Sequence, residues 1–237
     1  MFRTQFAVNG IPCTLWGEQS SEKVVLAVHG NFSHKEDTCI AILAEEAAVQ
    51  GYQVLSFDLP GHGYRIRDEK ECHVIQAVSD IQCIHVWARE HFSEIALFAC
   101  SMGASFSLIA CKPSDFSQTL FLSPVVDLLA LVRKMMSSAG IDEEQLSREK
   151  AIAITGGPVF RADYLDYLRQ HSPVTWKGPL GILVGRNDSL ADYTAVRAFS
   201  RQNGGVLETV EGAEHYFHEP ADLQTMREWF RHSLTST

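Results

Sequence analysis

Short apolar runs alternate with longer helical patterns along most of the chain. Six runs rich in aliphatic and β-branched residues predict strands, at residues 24–30, 53–61, 94–101, 119–124, 181–185 and 205–212. Several runs are apolar at nearly every position, as in strands that are buried on both faces of a parallel sheet. Five intervening segments predict helices, at residues 36–50, 72–91, 102–111, 191–202 and 220–233. This alternation predicts an α/β fold with a mainly parallel central sheet flanked by helices.

The N-terminus carries a different pattern. Arg3 to Val8 and Pro12 to Gly17 flank the dipeptide Asn9-Gly10, which is a strong short-range signal for a hairpin turn. We therefore expect two antiparallel strands before the first parallel strand. With these two counted, the run at 119–124 is the sixth strand.

One connection is too long for a simple crossover. About fifty residues separate the sixth strand from the next one, well beyond the usual length of a loop. Apolar residues at helical spacing fill its first part, and a second helical pattern follows at Asp163 to Arg169. We expect residues 125–177 to form a small helical cap inserted after the sixth strand. The core then comprises residues 1–124 and 178–237.

Composition and charge narrow the class of protein. The chain of 237 residues is 46% hydrophobic and 21% charged, which is typical of a globular domain. Its formal net charge of −9 disfavours binding to nucleic acid or to an anionic membrane surface. The sequence contains no apolar run of membrane-spanning length, no secretion signal and no C-x-x-C pair among its six cysteines. We expect a cytoplasmic protein with no membrane span and a small-molecule substrate, and the oligomeric state stays open.

The strongest local signal for chemistry is the pentapeptide Ala99-Cys100-Ser101-Met102-Gly103. It lies directly after a predicted strand and directly before a predicted helix, as does the sharp turn called a nucleophile elbow. The usual pattern of this turn is G-x-S-x-G, and Ala99 replaces the first glycine here. Ser101 is the candidate nucleophile, and the alternative is a serine that merely caps the helix.

Two further motifs follow earlier predicted strands. His29-Gly30-Asn31-Phe32 ends one strand and Asp58-Leu59-Pro60-Gly61-His62-Gly63 ends the next. Together with the elbow, these motifs resemble the α/β-hydrolase superfamily. The similarity looks closest to the small bacterial esterases and to monoacylglycerol-lipase-like or serine-aminopeptidase-like members. The resemblance implies an α/β-hydrolase fold and a serine hydrolase that needs no cofactor. Because His29 and His62 lie in these turn motifs, we expect their side chains to form hydrogen bonds within the strand-end loops.

A serine hydrolase also needs a base and an acid. A serine hydroxyl is a weak nucleophile, so a histidine must remove its proton and an acidic residue must orient that histidine. The resemblance assigns the base to His215, in the loop between the last strand and the final helix. It assigns the acid to Asp188, in the G-x-x-D turn after the strand at 181–185. His218 and Asp127 are the alternatives for the two roles.

The remaining site residues follow from the same resemblance. The backbone amides of Asn31 and Met102 are expected to form the oxyanion hole, and Phe32 is an alternative donor to Asn31. Phe32, Met135 and Phe160 are candidate substrate-binding residues. For the cap residues the alternative is simple packing between cap and core.

The predicted activity is hydrolysis of a carboxylic ester or thioester through an acyl-enzyme on Ser101. No metal site is expected, because His215 and His218 are three residues apart without the H-E-x-x-H arrangement. Two alternatives use the same fold, acyl transfer to an acceptor other than water and a catalytically silent ligand-binding protein.

Overall fold

A central eight-stranded sheet organises the molecule. The computed structural model describes residues 2–18, 20–67, 72–172 and 174–234. Within these ranges the strands are β1 (Arg3–Val8), β2 (Ile11–Trp16), β3 (Lys23–Val28), β4 (Tyr52–Phe57), β5 (Glu94–Cys100), β6 (Thr119–Leu122), β7 (Ala151–Ala153), β8 (Val159–Arg161), β9 (Leu180–Gly185) and β10 (Val206–Val210). The α-helices of the described residues are α1 (Thr38–Val49), α2 (Val74–His91), α3 (Met102–Ala110), α4 (Leu128–Ser138), α5 (Glu143–Glu149), α6 (Ala162–His171), α7 (Tyr193–Asn203) and α8 (Pro220–Ser233).

The strand order of the large sheet is β1-β2-β4-β3-β5-β6-β9-β10. β2 runs antiparallel to both of its neighbours, and every later pair is parallel. The N-terminal hairpin pairs Val8 with Ile11 across a turn in which Asn9 and Gly10 have φ angles of 49° and 84°. These positive φ values are those that an Asn-Gly hairpin turn requires. The predicted α/β fold with a mainly parallel sheet is therefore confirmed.

Both faces of the sheet are buried, which explains the continuous apolar runs. In β3, Val24, Leu26 and Val28 belong to one core cluster, whereas Val25 and Ala27 belong to the cluster on the opposite face. This alternation follows from the two-residue period of a strand. Residues of α2, α3 and α7 complete the first cluster, and residues of α1 and α8 complete the second.

The long connection between β6 and β9 holds α4, α5, β7, β8 and α6. Its helices were expected, and the two-stranded sheet of β7 and β8 was not. Strands of three residues are too short to leave a recognisable period in the sequence. The insertion has a small core of its own, formed by Met136, Ile141, Leu146, Phe160 and Leu165.

The parallel strands end earlier than the apolar runs indicated. The run at 24–30 forms a strand only to Val28, and the run at 53–61 only to Phe57. The residues beyond these points form loops at the carboxyl edge of the sheet. The loops that carry Ser101, Asp188 and His215 lie at the same edge. Within the described ranges, none of the helices has both the length and the apolar character needed to cross a bilayer.

Trp176, near the end of the insertion, packs into the main core. The side chain is fully buried, and its ring centroid lies 6.1 Å from those of both Phe116 and Phe121. Its indole N–H donates to Thr119 Oγ1 at 3.1 Å. We expect Trp176→Ala to lower the free energy of unfolding by about 3–5 kcal/mol, because it leaves a large cavity and an unpaired hydroxyl.

Urea denaturation measures this change, and Trp176→Phe serves as the matched variant. Phenylalanine cannot donate to Thr119, but it retains most of the buried ring. Trp176→Phe should therefore lower the free energy of unfolding by less than Trp176→Ala does. A loss below about 1 kcal/mol for Trp176→Ala would show that this packing contributes little.

Candidate active site

Ser101 lies in the turn between β5 and α3, and its backbone is strained. Its φ and ψ angles are 52° and −121°, a combination that residues with a side chain rarely adopt. Such a conformation costs about 1–3 kcal/mol and persists only when the surroundings hold it. The Ser101 N–H donates to the carbonyl of Leu122 at 3.0 Å, and the Ser101 carbonyl accepts from Val125 N–H at 3.1 Å. Leu122 at the end of β6 and Val125 just beyond it therefore fix the turn.

Close backbone approach explains the glycine of the elbow. A Cβ atom at Gly103 would lie 2.3 Å from the carbonyl oxygen of His29 and 2.8 Å from that of Val28. Helix α3 thus starts directly against the end of β3, and only glycine leaves enough room there. At the other glycine position of the pattern, Ala99 is fully buried in the core, so its extra methyl group is accommodated by packing.

The structure brings Ser101, His215 and Asp188 together. Ser101 Oγ lies 2.8 Å from His215 Nε2, and His215 Nδ1 lies 2.9 Å and 2.8 Å from the two carboxylate oxygens of Asp188. The His215 side chain is 5% exposed and that of Asp188 is fully buried. With a proton on Nδ1 donated to Asp188, Nε2 is free to accept the proton of the serine hydroxyl.

Backbone groups orient Asp188 and the loop that carries His215. Asp188 Oδ1 also accepts the amide hydrogens of Leu190 and Ala191, at 2.9 Å and 2.7 Å. A Cβ atom at Gly185 would lie 2.4 Å from the carbonyl oxygen of Ala213 and 2.6 Å from that of Glu214. The absence of a side chain at Gly185 therefore lets the loop after β10 lie against the end of β9, which places His215 beside Asp188.

The alternative acid and base have other partners. Asp127 is exposed and caps α4, where its Oδ1 accepts the Ala130 amide hydrogen at 2.9 Å. His218 is exposed, its Nδ1–H donates to the Tyr216 carbonyl at 2.7 Å, and its Nε2 lies 3.3 Å from Glu219. Both side chains are engaged locally rather than with Ser101.

The N–H groups of Asn31 and Phe32, the two candidate oxyanion donors in the loop after β3, differ in their hydrogen bonding. The Phe32 N–H donates to Nε2 of His62 at 3.2 Å. Among the described residues, none accepts a hydrogen bond from the Asn31 N–H. Met102 is the first residue of α3, so its N–H has no acceptor inside the helix. The amides of Asn31 and Met102 are thus the ones left available for a ligand.

The candidate substrate-binding residues lie in three different environments. Phe32 is 89% exposed and directly follows Asn31. Phe160, which is 6% exposed, belongs to the insertion's own core, so its surroundings support the packing role. Met135 is 40% exposed on α4. Of the three, only Phe32 adjoins a residue whose amide is available to a ligand.

A buried polar network supports the loops around the site. Asp58 Oδ2 accepts from Lys35 Nζ at 2.9 Å and from the Tyr64 N–H at 3.0 Å, and both side chains of the ion pair are almost fully buried. A Cβ atom at Gly63 would lie 2.1 Å from Asp58 Oδ1. The motif Asp58 to Gly63 pointed to this region, but nothing in the sequence indicated that Lys35 would be the partner.

The buried ring of His29 is held by two backbone hydrogen bonds. Its Nδ1–H donates to the Gly30 carbonyl at 2.7 Å and its Nε2 accepts from the Leu59 N–H at 3.0 Å. Burial lowers the pKa of His29 from the ordinary 6.5 to about 4. We expect the His29 ring to stay neutral at pH 5 in an NMR titration, with its signals assigned by their loss in His29→Gln.

The sign of the stability effect follows from this shift. Because the pKa of His29 is lower in the folded state, the unfolded chain takes up a proton first as the pH falls. The free energy of unfolding should therefore fall as the pH drops from about 6.5 towards 4. A titration midpoint near 6.5 for His29 would contradict the buried, neutral ring.

Among the described residues, no three His, Cys, Asp or Glu side chains cluster as metal ligands would. A search of the curated proteins gives no sequence match. The model of the alpha/beta hydrolase family matches residues 24–228.

Three solved structures share the fold. Est1E from Butyrivibrio proteoclasticus with ferulic acid bound has 19% identity and a TM-score of 0.74, over 98% of this chain and 100% of its own. Mouse alpha/beta hydrolase domain-containing protein 10 has 13% identity and a TM-score of 0.72, over 97% and 96%. XC6422 from Xanthomonas campestris, described as an α/β serine hydrolase without a lid, has 14% identity and a TM-score of 0.69, over 98% and 93%. Since the family model spans most of the sequence, the chain belongs to the alpha/beta hydrolase family.

Proposed function

We propose that this hydrolase cleaves a carboxylic ester or thioester through an acyl-enzyme on Ser101. The observation that carries the proposal is the continuous hydrogen-bonded chain from Ser101 Oγ through the His215 imidazole to the Asp188 carboxylate. Family membership supports a hydrolase, and the similar fold of the Pyrococcus furiosus esterase Pf2001, with 20% identity and a TM-score of 0.63, supports an ester as the substrate.

Acylation is the first half of the proposed reaction. His215 Nε2 takes the proton of the Ser101 hydroxyl as Oγ attacks the acyl carbon of the substrate. The imidazolium that forms keeps its Nδ1–H bonded to Asp188, which stabilises the positive charge. His215 then gives its Nε2 proton to the departing alkoxide or thiolate, and the acyl group stays on Ser101.

Deacylation repeats the same steps with water. His215 removes a proton from a water molecule, which attacks the acyl-enzyme carbon. The tetrahedral intermediate collapses, Ser101 Oγ leaves and regains a proton from His215, and the carboxylic acid is released. The base is used twice and regenerated, so the cycle consumes only ester and water.

Each attack creates a negative oxygen, and the amides of Asn31 and Met102 are the proposed donors to it. One such donor is worth about 3 kcal/mol of transition-state stabilisation. Asn31 is preferred to Phe32 because the Phe32 N–H already donates to His62.

The insertion is the proposed cap. Its first residue, Val125, bonds through its N–H to the Ser101 carbonyl, and the Ser105 hydroxyl of α3 donates to the Val125 carbonyl. The segment at 125–177 therefore begins at the nucleophile's own turn. We propose that the cap shapes the acyl pocket and that Phe32 contacts the substrate at its rim.

A panel of esters, thioesters and aryl amides of graded chain length tests the activity. We expect Ser101→Ala to lower turnover of every reactive substrate by at least about a thousandfold, because the acyl-enzyme cannot form. Full turnover of a short p-nitrophenyl ester by Ser101→Ala would defeat the proposal. Product analysis with competing alcohols separates hydrolysis from acyl transfer.

A pair of aspartate variants tests the assignment of the acid. Asp188→Asn should lower kcat by about ten-thousandfold, because an amide does not hold His215 in the required tautomer. Asp127→Asn is the matched control, and it should retain kcat within about threefold because asparagine also caps helices well. The reverse pattern would move the acid to Asp127.

A further inference from the structure

The ring of His62 is buried beneath the turn that carries the Asn31 amide. The residue is 7% exposed, and its Nδ1–H donates to the Pro60 carbonyl at 2.8 Å. With the ring proton on Nδ1, Nε2 is an acceptor. His62 Nε2 accepts a hydrogen bond from the Phe32 N–H at 3.2 Å.

The same nitrogen also contacts the side chain of Asn31. The Oδ1 atom of the Asn31 side chain lies 3.1 Å from His62 Nε2. A half turn of this amide places its NH2 group opposite the ring nitrogen, as a second donor. His62 Nε2 therefore contacts two successive residues of the turn, Asn31 and Phe32.

Phe32 does not hold this turn by packing. Its side chain is 89% exposed, and its φ angle is 58°, in the left-handed region that bulky residues avoid. A strained backbone persists only when its surroundings impose it. The hydrogen bond from the Phe32 N–H to His62 is one contact that holds this backbone in place.

The backbone and ring of His62 have further contacts in the loop after β4. The His62 N–H donates to the Leu59 carbonyl, and the His62 carbonyl accepts from the Arg65 N–H at 2.9 Å. Its ring packs edge-on against that of His29, with centroids 5.2 Å apart. The position of Nε2 is therefore set by the loop after β4.

The turn held by His62 also touches the nucleophile. A Cβ atom at Gly30 would lie only 3.0 Å from Ser101 Cβ. A small rotation of the turn would therefore change the position of the Asn31 N–H relative to the substrate oxygen.

We propose that His62 is a positioning residue for the oxyanion hole. It fixes the backbone N–H of Asn31 through its contacts with the Phe32 N–H and the Asn31 side chain. This inference rests on the proposed hydrolase function. An oxyanion donor acts mainly on the transition state, so its misplacement lowers kcat more than it changes KM.

Steady-state kinetics on a short p-nitrophenyl ester tests the role of His62. His62→Phe keeps a buried ring but accepts no hydrogen bond, and we expect kcat to fall at least about tenfold with KM within about threefold. His62→Gln offers an Oε1 acceptor near the position of Nε2, and it should recover most of the lost kcat. His62→Leu replaces the phenylalanine variant if circular dichroism shows that the latter is unfolded.

His85→Phe is the matched control. His85 is another buried histidine, on α2, where its ring packs against Phe116. This variant should keep the wild-type kcat. Thermal unfolding of all variants shows whether a fall in kcat merely follows a loss of stability.

Two results would overturn the inference. One is an apolar His62 variant that keeps more than half of the wild-type kcat, and the other is a folded His62→Gln that recovers none of the loss. Ser101→Ala, measured in parallel, separates this failure from a failure of the proposed function. Activity that survives in Ser101→Ala overturns the proposed function, whereas activity that needs Ser101 but not His62 overturns only the role of His62.

Discussion

The parallel order of the central strands is the constraint on which the site depends. β3, β5, β9 and β10 run in the same direction, so their carboxyl ends meet at one edge of the sheet. Ser101 and His215 are 114 residues apart in the chain, yet their side chains lie within 2.8 Å. A short loop follows each of these strands at that edge. Burial of both sheet faces holds the strands in place.

Backbone contacts convert this shared edge into a defined geometry. Gly103 and Gly185 each lie where a side chain would overlap a carbonyl oxygen of the neighbouring loop, at 2.3 Å and 2.4 Å. These contacts hold the start of α3 against β3 and the His215 loop against β9. The strained backbone of Ser101 is stabilised by hydrogen bonds to Leu122 at the end of β6 and to Val125 just beyond it, so the scaffold holds the hydroxyl in position.

Most of the fold, and the meeting of Ser101, His215 and Asp188 at one edge of the sheet, could be predicted from the sequence, for identifiable reasons. Apolar runs reveal buried strands, Asn9-Gly10 reveals the hairpin, and the elbow together with the family resemblance indicates Ser101, Asp188 and His215. The β7–β8 hairpin is too short to show a period. The burial of Phe160 inside the insertion, the Lys35–Asp58 pair and the bond from Phe32 to His62 depend on three-dimensional packing, which leaves no spacing signal in the chain.

The central claim is that His215 activates the hydroxyl of Ser101. Fluorophosphonates react with activated serine hydroxyls, so intact-mass and peptide mass spectrometry of the treated protein measures this activation directly. The account predicts one adduct, on Ser101, that forms with the folded wild-type protein and is lost in His215→Ala and after denaturation. An unmodified Ser101, or labelling at the same rate in His215→Ala, would contradict it.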